Sequence, residues 1–511
     1  MARRQQRKST QRGDHGAGDE PGDWERRTAK RRAGATETRA LDRDGGRNSA
    51  ARRAHARSKS NARSSSASRS QSRTTARGTQ RSATARGTRH ATSARGTRHA
   101  TSAGRARHPA PARSTQHAAP ARGTRHRTSA RGTPRPTTAR PVQGARKIRY
   151  AVIGLGDIAQ VAVLPAFRNA TSNSTLTALV SSDREKLKSL GKRYGVQHTC
   201  TYDEVDELFA SGEIDAAYIA LPNNMHKDYT VRAANAGVHV LCEKPLAITA
   251  EDCEEMIEAA RANGVKLMTA YRLHFERANL EAAALAHSGK LGDLRYFSSE
   301  FSQQVSKGDI RLDDELTGGP VYDLGIYCIN AARTAFAAEP TELIAAATQP
   351  RDRRFREVPD TVSAIMKFPG ERIASFTCSF GAADRSTYAV VGTKGSITLD
   401  PAYDFTKALA YTLRTNGRTR ERRLEKSDQF APELLYFSDC ILQDREPEPS
   451  GQEGLSDVRV IEAIHQSLES GRWVQLDVPQ RSRRPTPRQE IRRPRIEPRR
   501  VWSVPLLRNV R

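Results

Sequence analysis

The spacing of hydrophobic and polar residues changes along this chain and divides it into four parts. Residues 1–146 hold almost nothing that a core could bury: Leu41 and Trp24 are the large apolar side chains between positions 2 and 140. Residues 147–271 alternate short apolar runs with amphipathic segments, residues 272–479 carry longer strand-like runs, and residues 480–511 are dominated by arginine and proline. We therefore expect two folded domains between two basic tails.

The alternating region predicts a doubly wound α/β domain of the Rossmann type over residues 147–271. Apolar runs of strand length separated by helical periodicity are the pattern of βαβ units around a parallel sheet. Strands are expected at 148–154, 176–181, 215–221, 238–243 and 266–270, and helices at 158–170, 185–194, 225–236 and 250–263.

The pattern after residue 271 predicts a second α/β domain, over residues 272–479, built on an open antiparallel sheet. Strands are expected at 294–303, 362–368, 373–380, 388–391 and 396–399, and helices at 278–287, 325–334 and 432–442. Helices on one face of such a sheet leave the other face without a partner in the chain. We therefore expect this sheet to form the contact of a homo-oligomer.

The first 146 residues are interpreted as a disordered, low-complexity basic tail. They cannot bury enough apolar surface to offset the entropy of ordering the backbone. A nine-residue unit close to Ala-Arg-Gly-Thr-Arg-His-Ala-Thr-Ser recurs from Ala76, Ala85, Ala94, Ala121 and Ala130. It is too short and too polar for a stacked repeat, so it predicts no solenoid. The Arg/Pro-rich residues 480–511 are interpreted as a second disordered tail.

The formal net charge of +28 comes from the two tails. Residues 1–140 hold 35 Lys/Arg and 8 Asp/Glu, and residues 480–511 hold 11 and 2, which leaves 39 basic and 47 acidic residues between them. A polycationic tail neutralises phosphates without sequence preference, so non-specific nucleic-acid binding is one hypothesis. An inert solvated extension and a gene start assigned too far upstream are the alternatives.

Two further features indicate the environment of the protein. No apolar stretch near Met1 suits a signal peptide, and no run reaches the roughly 18 apolar residues of a membrane-spanning helix. We therefore expect a cytoplasmic protein without membrane contact. The six cysteines include no Cys-x-x-Cys pair, which predicts reduced, mostly buried thiols, no disulfide framework and no metal site.

A glycine-rich turn between the first predicted strand and helix is the first candidate for chemistry. Its sequence runs Gly154-Leu155-Gly156-Asp157-Ile158-Ala159. The first glycine permits a tight turn, the second lets the backbone approach a pyrophosphate, and the following helix N-terminus attracts negative charge. In this βαβ context the pattern predicts dinucleotide binding, with Gly154, Gly156, Asp157 and Ile158 beside the ligand.

The end of the second strand indicates which dinucleotide binds. A carboxylate there would hydrogen-bond the ribose 2′-hydroxyl of NAD and repel the 2′-phosphate of NADP. Ser181 and Ser182 stand at that place, and Arg184 and Lys186 lie within the next turn. The hydroxyls and the two cations favour NADP. NAD stays open as an alternative, because Asp183 in a shifted register would be the ribose carboxylate.

Four motifs resemble those of the Gfo/Idh/MocA oxidoreductase family, over about residues 147–479. They are Pro222-Asn223-Asn224-Met225-His226, Glu243-Lys244-Pro245, Tyr271-Arg272-Leu273-His274-Phe275 and the stretch from Gly318 to Tyr327. The last two are most similar to the glucose–fructose oxidoreductase-like branch, whose members dehydrogenate pyranoses. The resemblance implies a Rossmann domain, a domain with an open antiparallel sheet, and hydride transfer between a nicotinamide and a carbon of a sugar or polyol.

The resemblance also implies site residues, by their places in the motifs. Lys244, Asp323 and Tyr327 would be catalytic. Arg311 resembles an arginine that reaches the cofactor in the most similar members, where it follows a tryptophan; here it follows Ile310. The other residues that would surround the cofactor, besides the glycine turn and the strand-end residues, are Pro222, Asn223, His226, Glu243, Lys244 and Arg272.

The residue types fit this chemistry. Oxidising a hydroxyl requires a base for its proton, and a tyrosine is a poor base near neutral pH unless a cation lies close. Lys244 would supply that charge. Asp323, four residues before Tyr327 on a predicted helix, would lie on the same face and orient the tyrosine or the sugar. The alternative from the residues alone is that Asp323 caps this helix and Tyr327 packs in the core.

Three functions follow as hypotheses. The first is an NADP-dependent dehydrogenase or reductase of a pyranose or polyol, with Tyr327 as acid/base, Lys244 as its electrostatic partner and Asp323 as an orienting group. The second is a nucleic-acid-associated protein that binds through its tails and whose core senses NADP or a sugar. The third is a glucose–fructose oxidoreductase-type enzyme that holds NADP tightly. Residues 131–146 offer little apolar surface to clasp a cofactor, so we expect exchangeable NADP.

Overall fold

The computed structural model describes residues 146–348, 352–481, 483–497 and 501. The nine-residue repeats, and the interpretation of residues 1–145 as a disordered tail, lie outside these ranges. Within them, two sheets each form the centre of a domain. No helix in the described ranges combines the length and the hydropathy that crossing a bilayer requires.

The first sheet has six parallel strands in the order β3-β2-β1-β4-β5-β6. The strand order reverses between β1 and β4, which opens a crevice at the carboxyl ends of the strands. The predicted Rossmann domain is confirmed, although the three-residue β3 is too short for the sequence pattern to reveal. The strands are β1 Ile148–Ile153, β2 Ser174–Val180, β3 His198–Cys200, β4 Ala216–Ile219, β5 His239–Glu243 and β6 Leu267–Ala270.

Helices cover both faces of this sheet. Along β1, Tyr150 and Val152 join one apolar cluster while Ala151 and Ile153 join the other, which explains why the parallel strands read as continuous apolar runs. A π turn at Ala159–Val163 leads into the first helix. The helices are α1 Leu164–Ala166, α2 Arg184–Tyr194, α3 Val205–Ala210, α4 His226–Asn235 and α5 Ala250–Ala262.

The second sheet has nine strands in the order β14-β13-β12-β11-β7-β10-β9-β8-β15. Neighbouring strands run antiparallel except for β7 and β10, which are parallel. The predicted open antiparallel sheet is confirmed with this one exception, which requires the long crossover between the two strands. The strands are β7 Leu294–Ser302, β8 Glu342–Ala347, β9 Thr361–Phe368, β10 Arg372–Ser379, β11 Arg385–Gly392, β12 Gly395–Leu399, β13 Ala410–Thr415, β14 Arg418–Arg423 and β15 Val474–Gln475.

The helices after residue 271 include two that the sequence pattern does not predict. They are α6 Arg277–His287, α7 Asp314–Thr317, α8 Ile326–Phe336, α9 Ala431–Leu442 and α10 Gly451–Ser470, and a π turn at Val321–Gly325 leads into α8. One is α7, whose four residues are too few to show a helical period. The other is α10, where Gly451 and Gly454 lower the helix propensity of the first turn. Packing requires both glycines: a Cβ on Gly454 would lie 2.6 Å from the Cβ of Leu246, and one on Gly451 2.8 Å from Cγ1 of Ile257.

Helix α9 belongs to the Rossmann core although it follows strand β14 of the second sheet in the chain. Leu434 and Phe437 share an apolar cluster with Tyr150 of β1. The Tyr150 hydroxyl lies 2.8 Å from Oγ of Ser438. The chain therefore crosses back to the first sheet after β14 and returns to the second sheet with β15, which joins the two domains.

One face of the second sheet is open, as the sequence predicts. Along β9, burial alternates with exposure, so every second side chain points away from the core. Tyr296, Ile365 and Ile373 are the large apolar residues of the accessible face, each 43–48% exposed. Tyr296 and Ile373 are paired across β7 and β10, which makes an apolar patch on this face.

The folded part extends beyond residue 479, where the sequence predicts the second tail. Asn169 Nδ2 donates to the carbonyl oxygen of Pro494 (2.7 Å), and Arg481 and Arg484 reach buried carboxylates. The boundary lies later than predicted because some of the arginines that suggested a solvated tail are buried ion-pair partners. Residues 498–500 and 502–511 lie outside the described ranges.

Candidate active site

The glycine turn after β1 has the open backbone that a dinucleotide requires. Gly154 adopts a φ of +93°, and a Cβ there would lie 2.4 Å from the carbonyl oxygen of Ala220, so only glycine fits. A Cβ on Gly156 would meet nothing within 4 Å. Gly156 and Asp157 are exposed and Ile158 is half-buried. The turn is therefore accessible where the sequence predicts the pyrophosphate.

The residues after β2 stand where the sequence predicts the 2′-phosphate. Ser181 is buried, and its backbone N–H donates to the carbonyl oxygen of Cys200 (3.2 Å). Ser182 is exposed. The Asp183 carboxylate caps α2 by accepting from the backbone N–H of Lys186 (2.9 Å). The Asp183 carboxylate therefore has a structural role as a helix cap, which does not require a ribose as its partner. The cap also places Lys186 in the first turn of the helix.

The turn after β4 carries three predicted cofactor residues, and one of them differs from the prediction. Pro222 and Asn223 are half-buried at the carboxyl edge of the sheet. His226 is fully buried, with Nδ1 2.9 Å from the carbonyl oxygen of Pro245 and Nε2 2.9 Å from that of Leu221. Burial lowers the pKa of its imidazole. His226 therefore ties two strand-end turns together and exposes no surface to a cofactor.

Lys244 directly follows β5 and joins the two domains. Its ammonium donates to Oδ1 of Asp323 (2.8 Å) and to the Asp323 carbonyl oxygen (2.9 Å). It also lies 4.9 Å from the centroid of the Tyr327 ring. Burial alone would lower the pKa of this ammonium, but the Asp323 carboxylate raises it above its ordinary value. The lysine is therefore held in its charged form.

Asp323 lies in the π turn before α8, a kind of irregularity that often marks functional sites. Nη1 of Arg311 approaches its Oδ2 at 3.6 Å, opposite Lys244. Burial alone would raise the pKa of the carboxyl, but these two cations hold it below its ordinary value. Asp309 fixes Arg311 through Nη2 (2.8 Å). Arg311 thus stands beside the predicted catalytic carboxylate.

Tyr327 lies in the first turn of α8 between two cations. Nε of Arg272 donates to its hydroxyl (3.2 Å), and Phe301 packs edge-on against its ring at 5.5 Å. Arg272 is buried and donates to the carbonyl oxygen of Tyr403 (2.5 Å) and to the side chain of Gln429. Arg272, predicted beside the cofactor, therefore contacts the predicted catalytic hydroxyl. The structure brings Lys244, Asp323 and Tyr327 together as the motifs imply.

Two carboxyl groups, those of Glu243 and Glu433, lie on the protein-interior side of Lys244 and Arg272. The Tyr218 hydroxyl donates to Oε1 of Glu243 (2.8 Å), so Glu243 faces the protein interior. Glu433 of α9 is fully buried, and among the described residues neither of its carboxylate oxygens has a hydrogen-bond partner. Burial raises the pKa of both carboxyls, and Glu243 raises that of Glu433 further. Glu433 and Gln429 were missed because no local motif marks them.

Comparison with known proteins identifies the family. The model for the "Oxidoreductase family, NAD-binding Rossmann fold" matches residues 148–271, and that for the "GFO/IDH/MocA C-terminal domain" matches residues 279–398. A D-xylose 1-dehydrogenase (NADP(+)) of Haloarcula marismortui is 34% identical over 65% of this chain and 93% of its own length. The chain belongs to the Gfo/Idh/MocA oxidoreductase family. The predicted resemblance is confirmed.

Two further relatives are similar over the same extent. A second D-xylose 1-dehydrogenase (NADP(+)), from Haloferax volcanii, is 31% identical over 64% of this chain and 99% of its own length. Among solved structures, the aldose-aldose oxidoreductase of Caulobacter crescentus is 38% identical, with a TM-score of 0.62 over 65% of this chain and 100% of its own. By name, these relatives oxidise or reduce sugars.

Proposed function

We propose that this family member is an NADP-dependent sugar dehydrogenase that transfers hydride between a CH–OH group of an aldose or polyol and a nicotinamide. The observation that carries this proposal is the contact of Lys244 with Asp323 and Tyr327 at the carboxyl end of β5. Ligands of doubly wound sheets bind at that edge. The xylose dehydrogenases and the aldose oxidoreductase support a sugar as the substrate.

The residues present fit the dinucleotide. The backbone at Gly156 is open to a pyrophosphate. Ser182 and Lys186 offer a hydroxyl and a positive charge to a 2′-phosphate next to the buried Ser181. The NADP dependence printed for two relatives supports the same choice. When bound, the nicotinamide supplies the hydride acceptor or donor.

The side chains around Tyr327 suit proton transfer to a sugar oxygen. In the reducing direction the Tyr327 hydroxyl donates its proton to the substrate carbonyl oxygen. The Arg272 guanidinium and the Lys244 ammonium then stabilise the negative charge left on the tyrosine oxygen. Asp323 holds the lysine in place and accepts from a substrate hydroxyl. Oxidation follows the same path in reverse.

The proposal is tested by NADP reduction with a panel of aldoses and inositols, using wild-type protein and Tyr327→Phe. The wild type should reduce NADP with at least one sugar. Tyr327→Phe should lose about a hundredfold or more in kcat, because it cannot transfer the proton, while its affinity for NADP stays unchanged. No turnover with any sugar, or full activity of Tyr327→Phe, would contradict the proposal.

A second candidate is an oxidoreductase that couples the oxidation of one aldose to the reduction of another. The 38% identity to the Caulobacter crescentus enzyme favours it. Such an enzyme would interconvert sugars without added NADP and would keep its cofactor through dialysis. The sequence-based expectation is exchangeable NADP, so loss of the cofactor on dialysis favours the first candidate.

Oligomerisation and the environment stay predictions. The patch of Tyr296, Ile365 and Ile373 on the open sheet face supports a homo-oligomer formed there, and sedimentation analysis of Ile365→Lys against the wild type tests it. The six free cysteines fit a cytoplasmic location. The nucleic-acid hypothesis concerns residues outside the described ranges, and none of the comparisons supports it.

A further inference from the structure

Beyond Tyr327, helix α8 leads into a buried group of charges. Four carboxylates there have at most 2% of their surface exposed. One guanidinium for four carboxylates leaves an excess of negative charge, which burial makes costly. Arg333 donates to three of the four, and we call these five side chains the anchor cluster: Arg333, Glu339, Glu448, Glu453 and Asp457.

Two more cations come from the C-terminal segment. Arg481 donates to Glu448 (2.6 Å) and pairs with Glu453, and Arg484 donates to Glu339 (2.5 Å). Each of these arginine side chains is only 10% exposed. Burial alone would raise the pKa of the Glu448 carboxyl, but His274 and Arg481 hold it below its ordinary value. Three guanidiniums thus face the four carboxylates.

Asn330, one turn after Tyr327 on α8, links the anchor cluster to the active site. Its Nδ2 donates to Glu453 and Asp457 (2.9 and 2.8 Å), which turns its Oδ1 toward Nε2 of His274 (2.9 Å). His274 ends the short helical turn that begins at Arg272, whose guanidinium donates to the Tyr327 hydroxyl. Side-chain contacts therefore run from the C-terminal arginines to His274, and the backbone of the Arg272–His274 turn completes the connection to the guanidinium that holds the tyrosine.

The same segment also lines a cavity that Tyr327 borders. Pro485 is buried and lines this cavity together with Leu280, Ala283 and Ala331. Pro485 therefore adds apolar surface next to α6 and α8 beside the tyrosine, independently of the charges. We call Arg481, Arg484 and Pro485 the C-terminal strap.

We propose that the C-terminal strap is a positioning element for Tyr327. By balancing the anchor cluster and lining the cavity, it holds the Arg272–His274 turn and the first turn of α8 in the geometry that proton transfer requires. The hydrogen bonds and ion pairs of the strap arginines in the described ranges go to the anchor cluster, and none goes to the cofactor turn or to Lys244. The inference rests on the proposed function, in which Tyr327 is the acid/base.

The test compares full-length Arg481→Met and Arg481→Lys with Arg488→Met, which removes an exposed arginine of the same segment. The readouts are kcat, KM for the sugar, NADP affinity and Tm. We expect Arg481→Met to lower kcat about tenfold below the control while NADP affinity stays within about twofold, since the glycine turn is untouched. Arg481→Lys should recover part of the loss, because it keeps the charge but cannot bridge Glu448 and Glu453.

Each outcome decides the inference. Wild-type kcat in Arg481→Met overturns it, and so does a loss of NADP affinity that parallels the loss of kcat, which would indicate general unfolding. If Arg481→Met does not fold, Arg481→Lys decides: a kcat below the control with normal NADP affinity supports positioning, and an unchanged kcat overturns it. Tyr327→Phe, measured alongside, separates the two claims. If Tyr327→Phe keeps full activity, the proposed function fails. If Tyr327→Phe loses kcat but the Arg481 variants do not, only the proposal about the C-terminal strap is contradicted.

Discussion

The two ends of α8 carry two clusters of ion pairs that differ in their access to solvent. At the start, Lys244 pairs with Asp323 and Arg311 approaches the same carboxylate; these side chains are 12%, 25% and 34% exposed. At the end, Arg333 of the anchor cluster pairs with carboxylates that are as fully buried as itself. Both clusters pair carboxylates with cations, but only the first keeps its charged groups partly accessible to solvent.

This difference separates chemistry from stability. A partly exposed ion pair gains little folding free energy, but its carboxylate and ammonium remain available to a substrate oxygen. A fully buried cluster has no room for a ligand, and removing one partner leaves uncompensated charge in a medium of low polarity. We therefore expect substitutions at the first cluster to affect turnover directly. Substitutions at the second should affect folding first, and should reach turnover only through the positioning of Tyr327.

The largest effect is expected for Lys244→Ala. Loss of the ammonium beside Tyr327 should lower kcat by about a thousandfold, with NADP affinity and unfolding free energy close to the wild type. Steady-state kinetics and NADP titration measure this. Lys266→Ala is the matched control, because Lys266 is 13% exposed and also ion-paired but lies away from the site. Near-normal kcat in Lys244→Ala would contradict the assignment of the first cluster to turnover.

Arg333→Met should act in the opposite way. Removing the guanidinium leaves the buried carboxylates of the anchor cluster without their central cation, which should reduce the free energy of unfolding by about 3–5 kcal/mol. Urea denaturation measures this loss. Arg459→Met, which removes a partly exposed pair with Glu254, should cost less than about 1 kcal/mol. Equal losses in the two variants would show that burial does not set the cost.

The smallest effect is expected for Glu433→Gln, and it depends on pH. The folded-state pKa of Glu433 is raised above the ordinary value of 4.5 by burial and by Glu243. The protonated Glu433 carboxyl therefore makes its full contribution to the free energy of unfolding below pH 4.5. This contribution declines as the pH rises toward the folded-state pKa, because the carboxyl ionises first in the unfolded chain. Glu433→Gln should gain stability over the wild type as the pH rises from about 5 to about 8. Parallel stability curves in denaturant would contradict this.

Features that depend on neighbours in the chain could be read from the sequence. Three local patterns were visible in this way. They are the glycine turn, the strand ends at Ser181 and Lys244, and the four-residue spacing of Asp323 and Tyr327. They sufficed for the Rossmann domain, the open sheet and the family. They also indicated a dinucleotide at the turn and a lysine next to an aspartate and a tyrosine, which remain proposals as catalytic groups.

Features that depend on partners far apart in the chain required the tertiary structure. Arg272 and Gln429 meet across 157 positions and Asn330 and Asp457 across 127, and no periodicity or motif records such pairings. Burial also decided the role of individual side chains. His226 is buried and links two strand-end turns by hydrogen bonds. Arg481 pairs with buried carboxylates, although the composition of its segment indicated a solvated tail. The sequence shows which side chains are charged, whereas only the fold determines whether each charge is solvated by water or paired with an opposite charge.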